Sequence, residues 1–380
     1  MLFKTKFIPF AIAMAFAGGA GAQEIVKIGH VGPISGASAH LGKDNENGAK
    51  MAIEDLNAKG FQINGKAVKF VLVPEDDAAD PKQGTAVAQK LVDAKVNGVI
   101  GHLNSGTTVP ASKIYFDAGI PQISPSATTP QYTKQKFNTA FRVVANDNKL
   151  GSTLGAYAVD KLQVKKIAVI DDRTAYGQGV AEEFVKGAKK KLPGVQIVGK
   201  EFTNANATDF NAILTSIKGK KPDLIFFGGM DSVAGPMLRQ MKSLGIEAKF
   251  MGGDGICTES LAKLAGEGAG EGNVTCAEAG GVAADQQKNM DDFVARYKKK
   301  YNVDVQIYAP YVYDAVMTMA TAMQNAKSAE PAKYLPELKK IKYQGVTGLI
   351  SFDDVGDIKD GALTLFTFKG GKKTKLEVVK

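Results

Sequence analysis

The chain contains few of the side chains from which metal and cofactor sites are built. Its 380 residues include two cysteines and three histidines. None of the histidines, His30, His40 and His102, is spaced from a cysteine or an acidic residue as a metal ligand would be. The two cysteines, Cys257 and Cys276, have no histidine near them and make no convincing zinc site. We therefore expect no metal ion and no cofactor.

The chain also lacks the motifs of an enzyme. His102 lies close in sequence to Ser105, but no Gly-x-Ser-x-Gly turn is present to expose a nucleophile. The glycines within 29–32 and 177–179 fall short of the dinucleotide-binding fingerprint. The rival interpretation is an exported hydrolase that uses His102 or Asp254, and the absence of a paired acid and base argues against it. We predict a protein without catalytic residues.

Basic residues are in excess, but their distribution does not indicate a nucleic-acid partner. The formal net charge is +9, and runs of lysine at 189–191 and 298–300 each end a helix-period segment. Positive charge at that position complements the helix dipole. A nucleic-acid site would combine lysines with arginines and aromatic residues, and arginine is scarce here. We expect no nucleic-acid partner.

The first 22 residues have the pattern of a signal peptide. Lys4 and Lys6 precede an apolar stretch at 7–17, and Ala20-Gly21-Ala22 supplies small residues for cleavage. The stretch is shorter than the roughly 20 apolar residues that span a membrane. No cysteine follows the cut to carry a lipid, and no later segment is long enough to span a bilayer. We expect the mature chain to be exported and free in the periplasm.

Segments of strand and helix character alternate along the rest of the chain. A strand at 26–31 and a helix around 48–59 open a first round; a second begins near Gly151, with a helix at 153–161 and a strand at 166–171. Repeated βαβ units predict an α/β fold of parallel sheets with helices on both faces. A chain of this length exceeds one comfortable core, so two rounds predict two similar lobes. No low-complexity linker divides them, which favours several short crossings between the lobes.

Two polar loops indicate where a ligand binds. Residues 98–103 and 121–123 are short apolar runs, and each breaks into small hydroxyl residues, at 104–108 and 124–129. A helix-period segment lies between them, so both loops fall at the carboxyl edge of a parallel sheet, where open α/β sheets bind ligands. Hydroxyls and free N–H groups at a helix start suit a small anion such as a carboxylate. The pattern predicts capture of a small molecule.

The second round supplies an acid at the corresponding edge. Asp254 stands between glycines at a predicted strand end, where its carboxylate could pair with an ammonium group. The alternative is a turn aspartate that accepts hydrogen bonds from its own backbone. Tyr176 and Met230 occupy the two matching strand-end loops, and we expect Tyr176 to face the cleft.

The two cysteines leave two possibilities open. An even pair in an exported protein reads as a disulfide between Cys257 and Cys276. The other possibility is a pair of buried thiols that never meet. We predict the disulfide.

Taken in order, several segments resemble the leucine/isoleucine/valine-binding proteins that serve ATP-driven amino-acid importers, which have the type I periplasmic binding-protein fold. The resemblance covers essentially the whole chain after the leader. The segments are 27–36 (KIGHVGPISG), 76–83 (DDAADPKQ), 99–112 (VIGHLNSGTTVPAS), 123–130 (ISPSATTP), 171–179 (DDRTAYGQG), 250–255 (FMGGDG) and 351–359 (SFDDVGDIK). It implies two Rossmann-like lobes joined by three hinge crossings, the first formed by 24–144 and 278–348 and the second by 145–277 and 349–380.

The resemblance also implies a role for each site residue. Ser105 and Thr128 would hold a ligand carboxylate, while the Ser126 carbonyl, the Thr128 hydroxyl and Asp254 would hold its ammonium group. Tyr176 would close over the ligand. The side-chain pocket would be lined by Leu41, Leu103, Ala127, Met230 and Tyr308.

Three departures from the family pattern affect these expectations. The acid at Asp254 is often a glutamate, and tyrosine is often found at the positions of Leu41 and Met230. Some members carry a first-lobe disulfide whose two positions are Ala79 and Asn104 here, so this chain lacks that bridge. The pocket is therefore less polar than in those relatives.

The resulting prediction is a monomeric binding protein that captures a free α-amino acid and delivers it to the permease subunits of an ABC importer. Leucine, isoleucine and valine are the first candidates. The alternative is a ligand-sensing protein for another amino acid, such as phenylalanine, or for an amide. A sensor would require an attached transmembrane or signalling segment.

Overall fold

We analysed a computed structural model of the chain, in which residues 23–270, 272–282 and 286–379 are described. The predicted signal peptide at 1–22 lies outside these residues. Within the described part, no helix is both long and apolar enough to cross a membrane.

The first half of the chain forms a six-stranded sheet in the order β2-β3-β1-β4-β5-β6. All neighbouring strands run parallel except β2, which pairs antiparallel with β3. The strands are β1 (Glu24–Gly32), β2 (Gln62–Ile63), β3 (Lys66–Asp76), β4 (Gly98–Ile100), β5 (Gln122–Ser124) and β6 (Ala140–Arg142). The helices between them are α1 (Ala39–Ala58), α2 (Pro81–Asp93), α3 (Ser105–Asp117) and α4 (Gln131–Lys134).

The second sheet has seven strands in the order β15-β14-β11-β10-β9-β7-β8. Its strands are β7 (Lys166–Asp171), β8 (Gln196–Phe202), β9 (Leu224–Gly228), β10 (Lys249–Gly252), β11 (Val274–Glu278), β14 (Leu363–Lys369) and β15 (Lys372–Val379). The five strands β7, β8, β9, β10 and β11 are parallel to one another, whereas β14 and β15 pair antiparallel at one edge. Its helices are α5 (Asp147–Asp160), α6 (Ala175–Lys191), α7 (Asn211–Lys220), α8 (Asp231–Ser243) and α9 (Leu261–Ala265).

The chain passes between the two sheets three times. It leaves the first sheet after β6 and builds β7 to β11 of the second. It then returns with α10 (Gln287–Tyr301), α11 (Ala309–Asn325) and α12 (Pro331–Lys339), and α11 packs on α1, β4 and β5. A small hairpin follows, β12 (Tyr343–Gln344) and β13 (Leu349–Ile350), before β14 and β15 complete the second sheet. These features confirm the predicted α/β fold with three crossings; the lobe boundaries at 144, 277 and 348 stay predictions.

Local sequence explains how the helices begin. Pro81 occupies the first turn of α2, where a missing N–H costs nothing, and Asp80 caps the helix by accepting the Gln83 N–H at 2.8 Å. Thr174 caps α6 in the same way through the Gly177 N–H at 2.9 Å. Both caps fix the direction in which the chain leaves a strand end, which is where the predicted site residues lie.

The structure corrects two predicted helix starts and one sheet assignment. Helix α1 begins at Ala39 rather than near residue 48. Its first turns bury polar side chains by distant contacts, since Asp44 accepts backbone N–H groups from residues 306–309. Helix α5 begins at Asp147 rather than at residue 153. Both sheets are mixed rather than wholly parallel, because β2 and β3 pair as a hairpin in the first sheet and β14 and β15 do so in the second.

Candidate ligand-binding site

The predicted site residues come from loops at the carboxyl ends of both sheets. On the first sheet, Ser105 starts α3 just after β4, and residues 126–128 follow β5. On the second, Tyr176 lies in the first turn of α6, Met230 directly precedes α8, and Asp254 follows β10. The carboxyl ends of parallel strands share one edge, so each sheet presents its loops to a common cleft.

The cleft holds a small cavity of about 20 Å³. Such a volume has room for about one water molecule, so the two halves lie in contact there. The predicted residues that line it are Leu103, Ser105, Ser126, Tyr176, Met230, Asp254 and Tyr308, joined by Asn104 and Gly255. Leu41, Ala127 and Thr128 are buried but lie outside this lining.

A wider cavity of about 450 Å³ adjoins the first. The two share Asn104, Ser105, Tyr176 and Met230. Loops from both halves line the wider cavity, with Asp80 on one side and Arg173 on the other.

Hydroxyl groups hold the first-sheet loops in place. Ser126 Oγ donates a hydrogen bond to the Leu103 carbonyl at 3.0 Å, which ties the loop after β5 to the loop after β4. Ser105 Oγ accepts the Thr129 N–H at 3.3 Å. Ser124 Oγ donates to the His102 carbonyl at 3.0 Å and accepts the Ala127 N–H at 2.9 Å. The two polar loops are therefore one hydrogen-bonded unit.

Arg142 also holds the loop after β5 in place, although no sequence motif indicated this residue. Its side chain is wholly buried and donates to the carbonyls of Ala127 at 3.0 Å and Thr129 at 2.8 Å. Its Nε lies 2.7 Å from Asp357, in the chain segment that leads back to the second sheet. Bonds to charged donors are strong ones, so Arg142 orients the carbonyls and hydroxyl at 127–129.

Asp254 carries the charge on the second-sheet side. Its side chain is 1% exposed, and Oδ2 accepts a hydrogen bond from the Tyr308 hydroxyl at 2.8 Å. Among the described residues, Oδ1 has no hydrogen-bond partner. Burial raises the pKa of Asp254 to about 6, against the opposing effect of the Tyr308 and Tyr176 hydroxyls. The Tyr176 hydroxyl also accepts the Gly255 N–H at 2.9 Å, which holds the glycine-flanked turn.

The structure adds a second acid, Asp147, that sequence reasoning missed. It is wholly buried at the start of α5, and its N–H donates to the Thr128 carbonyl at 2.8 Å. Burial raises the pKa of Asp147 well above its ordinary value, and the charge of Asp254 raises it further. The Thr128 hydroxyl acts in the opposite direction without reaching hydrogen-bonding geometry. An acid beside Asn146, which caps α5, was a usable signal once the helix start was known.

Several buried polar atoms near the strand ends of the two sheets have no hydrogen-bond partner among the described residues. Neither oxygen of Asp147, nor Asp254 Oδ1, nor the Thr128 hydroxyl is hydrogen-bonded to any described group. Buried polar atoms in folded proteins nearly always have partners, so such a cluster is suited to a ligand that brings hydrogen-bond donors and positive charge.

His102 has a different role from the one considered for an enzyme. It is wholly buried, and its ring nitrogens lie 2.9 Å from Asp77 Oδ2 and 3.0 Å from the Tyr115 hydroxyl. Both nitrogens are thus engaged away from Ser105, whose hydroxyl binds Thr129. Among the residues that the structure describes, no group of three or more histidines, cysteines or acids is placed to hold a metal ion.

Cys257 and Cys276 are joined by a disulfide, with Cα atoms 5.3 Å apart. The bridge connects the turn that follows Asp254 to strand β11. It therefore braces the loop that carries the buried acid.

Two α/β halves that close over a small pocket of hydroxyls and acids define a two-lobed ligand-binding protein. The periplasmic binding protein family model matches residues 25–373, and the chain belongs to this family.

Two curated relatives match nearly the full chain. The Leu/Ile/Val-binding protein homolog 1 of Brucella suis is 37% identical, with 99% of both chains covered. The leucine-, isoleucine-, valine-, threonine-, and alanine-binding protein of Pseudomonas aeruginosa is 34% identical, with 96% of both covered.

Among solved structures, the branched-chain amino acid transporter substrate binding protein LivJ of Streptococcus pneumoniae, in complex with isoleucine, is 30% identical. The alignment covers 94% of this chain and 100% of that one, with a TM-score of 0.83. These similarities confirm the family that the sequence segments resemble.

Proposed function

We propose that this chain captures a free α-amino acid, with leucine, isoleucine and valine as the first candidates, and delivers it to the membrane subunits of an ABC importer. The names of the full-length relatives support this ligand class. The observation that carries the proposal is the set of buried, unpartnered acceptors at Thr128, Asp147 and Asp254 among the described residues, of which Asp254 lines the small cavity.

The first sheet receives the ligand carboxylate in this proposal. Ser105 lies at the start of a 13-residue helix, where backbone N–H groups have no carbonyl partner within the helix and the dipole favours an anion. The Thr128 backbone and hydroxyl lie on the neighbouring loop, which Arg142 and Ser124 hold rigid. A preorganised loop of this kind loses little conformational freedom on binding.

The ammonium group then lies among the acceptors. The Thr128 hydroxyl and Asp254 Oδ1 have free lone pairs for two of its three N–H donors, and the Ser126 carbonyl is the third acceptor in our assignment. Asp147, at the start of α5, adds two further carboxyl oxygens that have no hydrogen-bond partner among the described residues. A charged donor desolvated among these groups is bound far more strongly than a neutral one.

The remaining wall is apolar. Leu103 and Met230 line the cavity, Tyr308 contributes its ring, and Leu41 and Ala127 are buried beside these loops. An aliphatic side chain gains roughly 1.5–3 kcal/mol when it is buried in such a wall. This favours leucine, isoleucine and valine over polar amino acids.

Capture requires that the cleft opens and closes. The cavity of about 20 Å³ is too small to admit an amino acid. A ligand that contacts Ser105 on one half and Asp254 on the other stabilises the closed arrangement by contacts that the open one lacks. We assign the lobes to 24–144 with 278–348 and to 145–277 with 349–380, and we place the monomeric protein in the periplasm after removal of residues 1–22.

A thermal-shift screen over the twenty amino acids tests this function. A ligand present at about 1,000 times its dissociation constant adds about 4 kcal/mol to the free energy of unfolding. We expect a large rise in melting temperature with leucine, isoleucine or valine and little with aspartate or lysine. Equal small shifts for all amino acids contradict the proposal.

A further inference from the structure

An ion pair joins the first helix to a helix of the second half close to the ligand cavity. His40 is the second residue of α1, and Asp231 is the first residue of α8. Their side chains meet with His40 Nε2 2.7 Å from Asp231 Oδ2, although 191 residues separate them in sequence. Each is the chain neighbour of an expected pocket residue, since His40 precedes Leu41 and Asp231 follows Met230.

On the second-sheet side, Asp231 has a partner of its own besides His40. Asp231 is wholly buried, and Thr258 Oγ1 donates to its Oδ2 at 2.6 Å. Thr258 in turn accepts the Leu261 N–H at 3.0 Å and directly follows Cys257 of the disulfide. The start of α8 also favours an anion. Asp231 is therefore held rigidly, whereas His40 is 27% exposed at its side chain.

We propose that His40 and Asp231 form a latch across the cleft, which closes with uptake of a proton and so couples ligand capture to pH. The inference rests on the proposed function, because closure is what the ligand drives. His40 and Asp231 act as positioning residues: they hold the two halves together and do not touch the ligand.

The charges around His40 set the direction of the coupling. Burial opposes its positive charge, but the hydrogen bond and the charge of Asp231, together with Asp44 on α1, raise the pKa of His40 above its ordinary value of 6.5. The Ala37 carbonyl acts in the same direction. Asp44 is itself held by backbone N–H groups of residues 306–309, so its carboxylate does not compete for His40.

The other two histidines behave differently. Burial lowers the pKa of His30 to about 4. His102 bonds to Asp77 and Tyr115 on the first-sheet side. Of the three, His40 is the histidine that joins the two halves.

The sign of the linkage follows from the two states. In an open cleft, His40 lacks the contact with Asp231 and keeps only the influence of Asp44 and the Ala37 carbonyl from its own half; in the closed cleft the contact with Asp231 raises its pKa further. Closure therefore takes up a fraction of a proton at pH values between the open-state and the closed-state pKa of His40, and affinity for the ligand falls as the pH rises through the closed-state pKa. Below the open-state pKa, His40 is charged in both states and the coupling disappears.

Isothermal titration calorimetry with leucine between pH 6.5 and 8.5, in buffers of different ionisation enthalpy, tests the latch. The unaltered protein should take up a fraction of a proton per leucine and lose affinity with rising pH. His40→Gln keeps a hydrogen-bond donor but cannot titrate, so its affinity should be independent of pH in this range and on the order of tenfold weaker at pH 6.5. Asp231→Asn should lose the same pH dependence while it preserves the shape of the contact.

Ser260→Ala is the matched control. It removes an uncharged bond between the halves, from Ser260 Oγ to Gln306 Oε1 at 2.8 Å. This variant should bind leucine less tightly with the pH profile and proton uptake of the unaltered protein. Melting temperatures without leucine establish that each variant is folded.

The outcomes separate the two proposals. If His40→Gln and Asp231→Asn both keep the proton uptake and the slope of the unaltered protein, the latch is wrong while amino-acid capture stands. If affinity of the unaltered protein is flat from pH 6.5 to 8.5, the latch is equally wrong. Failure of the unaltered protein to bind leucine at every pH overturns the proposed function and the latch with it.

Discussion

The hydroxyl of Tyr308 donates a hydrogen bond of 2.8 Å to Asp254, and this bond joins the two halves of the molecule. Tyr308 directly precedes α11, which packs on the first sheet, whereas Asp254 follows β10 of the second. The aromatic ring expected only as an apolar wall therefore also orients the acid. One carboxylate oxygen is held by the protein, and the other has no partner among the described residues.

The role of Asp254 can be tested by Asp254→Asn, which keeps the shape of the side chain and removes its charge. A desolvated ammonium group would lose its ion pair, so leucine binding should weaken by on the order of 2–5 kcal/mol. Folding should change little, because the residue packs in a glycine-flanked turn. Calorimetry and thermal unfolding measure the two effects. A turn aspartate predicts the reverse, a lower melting temperature with affinity nearly intact.

The pH dependence of binding should reveal the same acid from the other side. Since burial raises the pKa of Asp254 to about 6, the carboxylate becomes protonated as the pH falls through that value. The ligand ammonium group then loses its charged partner, and leucine affinity should fall below pH 6 in titrations at constant ionic strength. Constant affinity down to pH 4.5 would contradict this assignment. This loss of leucine affinity occurs at lower pH than the loss expected from His40.

Removal of the Tyr308 hydroxyl should change the pH at which leucine affinity begins to fall. Tyr308→Phe deletes a donor that favours the charged form of Asp254, so its pKa should rise further and the loss of affinity should begin at a higher pH. Ring packing is retained, which keeps the melting temperature close to the original. An unchanged acid limb in the affinity profile would show that the bond does not orient Asp254.

Asp147 should reveal itself in the stability of the ligand-free protein. Its folded-state pKa lies well above the ordinary 3.8, so the folded protein binds a proton that the unfolded chain releases. This contribution lowers the free energy of unfolding progressively as the pH rises from about 4 through the folded-state pKa. Asp147→Asn should flatten the decline in denaturant unfolding between pH 5 and pH 8. Identical slopes in variant and parent would mean that the acid is paired or hydrated.

The disulfide should stabilise the segment after β10, which contains Asp254 and Thr258. Cys257 and Cys276 are 19 residues apart, and closure of such a loop stabilises by roughly 3 kcal/mol in the chain-entropy model. Replacing both cysteines by serine should lower the free energy of unfolding by about that amount and weaken leucine binding less than Asp254→Asn does. Stability equal to that of the parent would show that the bridge is dispensable.

Features with a local sequence signal could be predicted, whereas features that depend on distant contacts could not. Strand-end loops such as 104–108 were predictable because apolar runs that break into hydroxyl residues have a local signal. Helix α1 could not be traced to Ala39, because its early polar residues are buried by contacts with residues 306–309, more than 260 positions away. The antiparallel pairing of β14 with β11 and β15 depends on where the chain returns to the second sheet, and no local pattern predicts it.

The same distinction applies within the site. The loop residues Ser105, Thr128 and Asp254 were found through their motifs, and the structure brings them to one cleft. Asp147 and Arg142 were missed because their roles follow from burial against those loops, which no local spacing reveals. The bonds Tyr308–Asp254 and His40–Asp231 depend on how the two halves meet, so only the folded molecule shows them.

The central claim is that both ends of a free α-amino acid are held at once, and calorimetry on three ligands tests it most directly. Leucine presents a carboxylate and an ammonium group, leucinamide lacks the carboxylate charge, and N-acetyl-leucine lacks the ammonium group. A site built to pair charged groups rejects analogues without them, because its own polar atoms are left unpaired. We predict tight binding of leucine and at least about a hundredfold weaker binding of both analogues. Equal affinity for leucine and leucinamide would contradict the account.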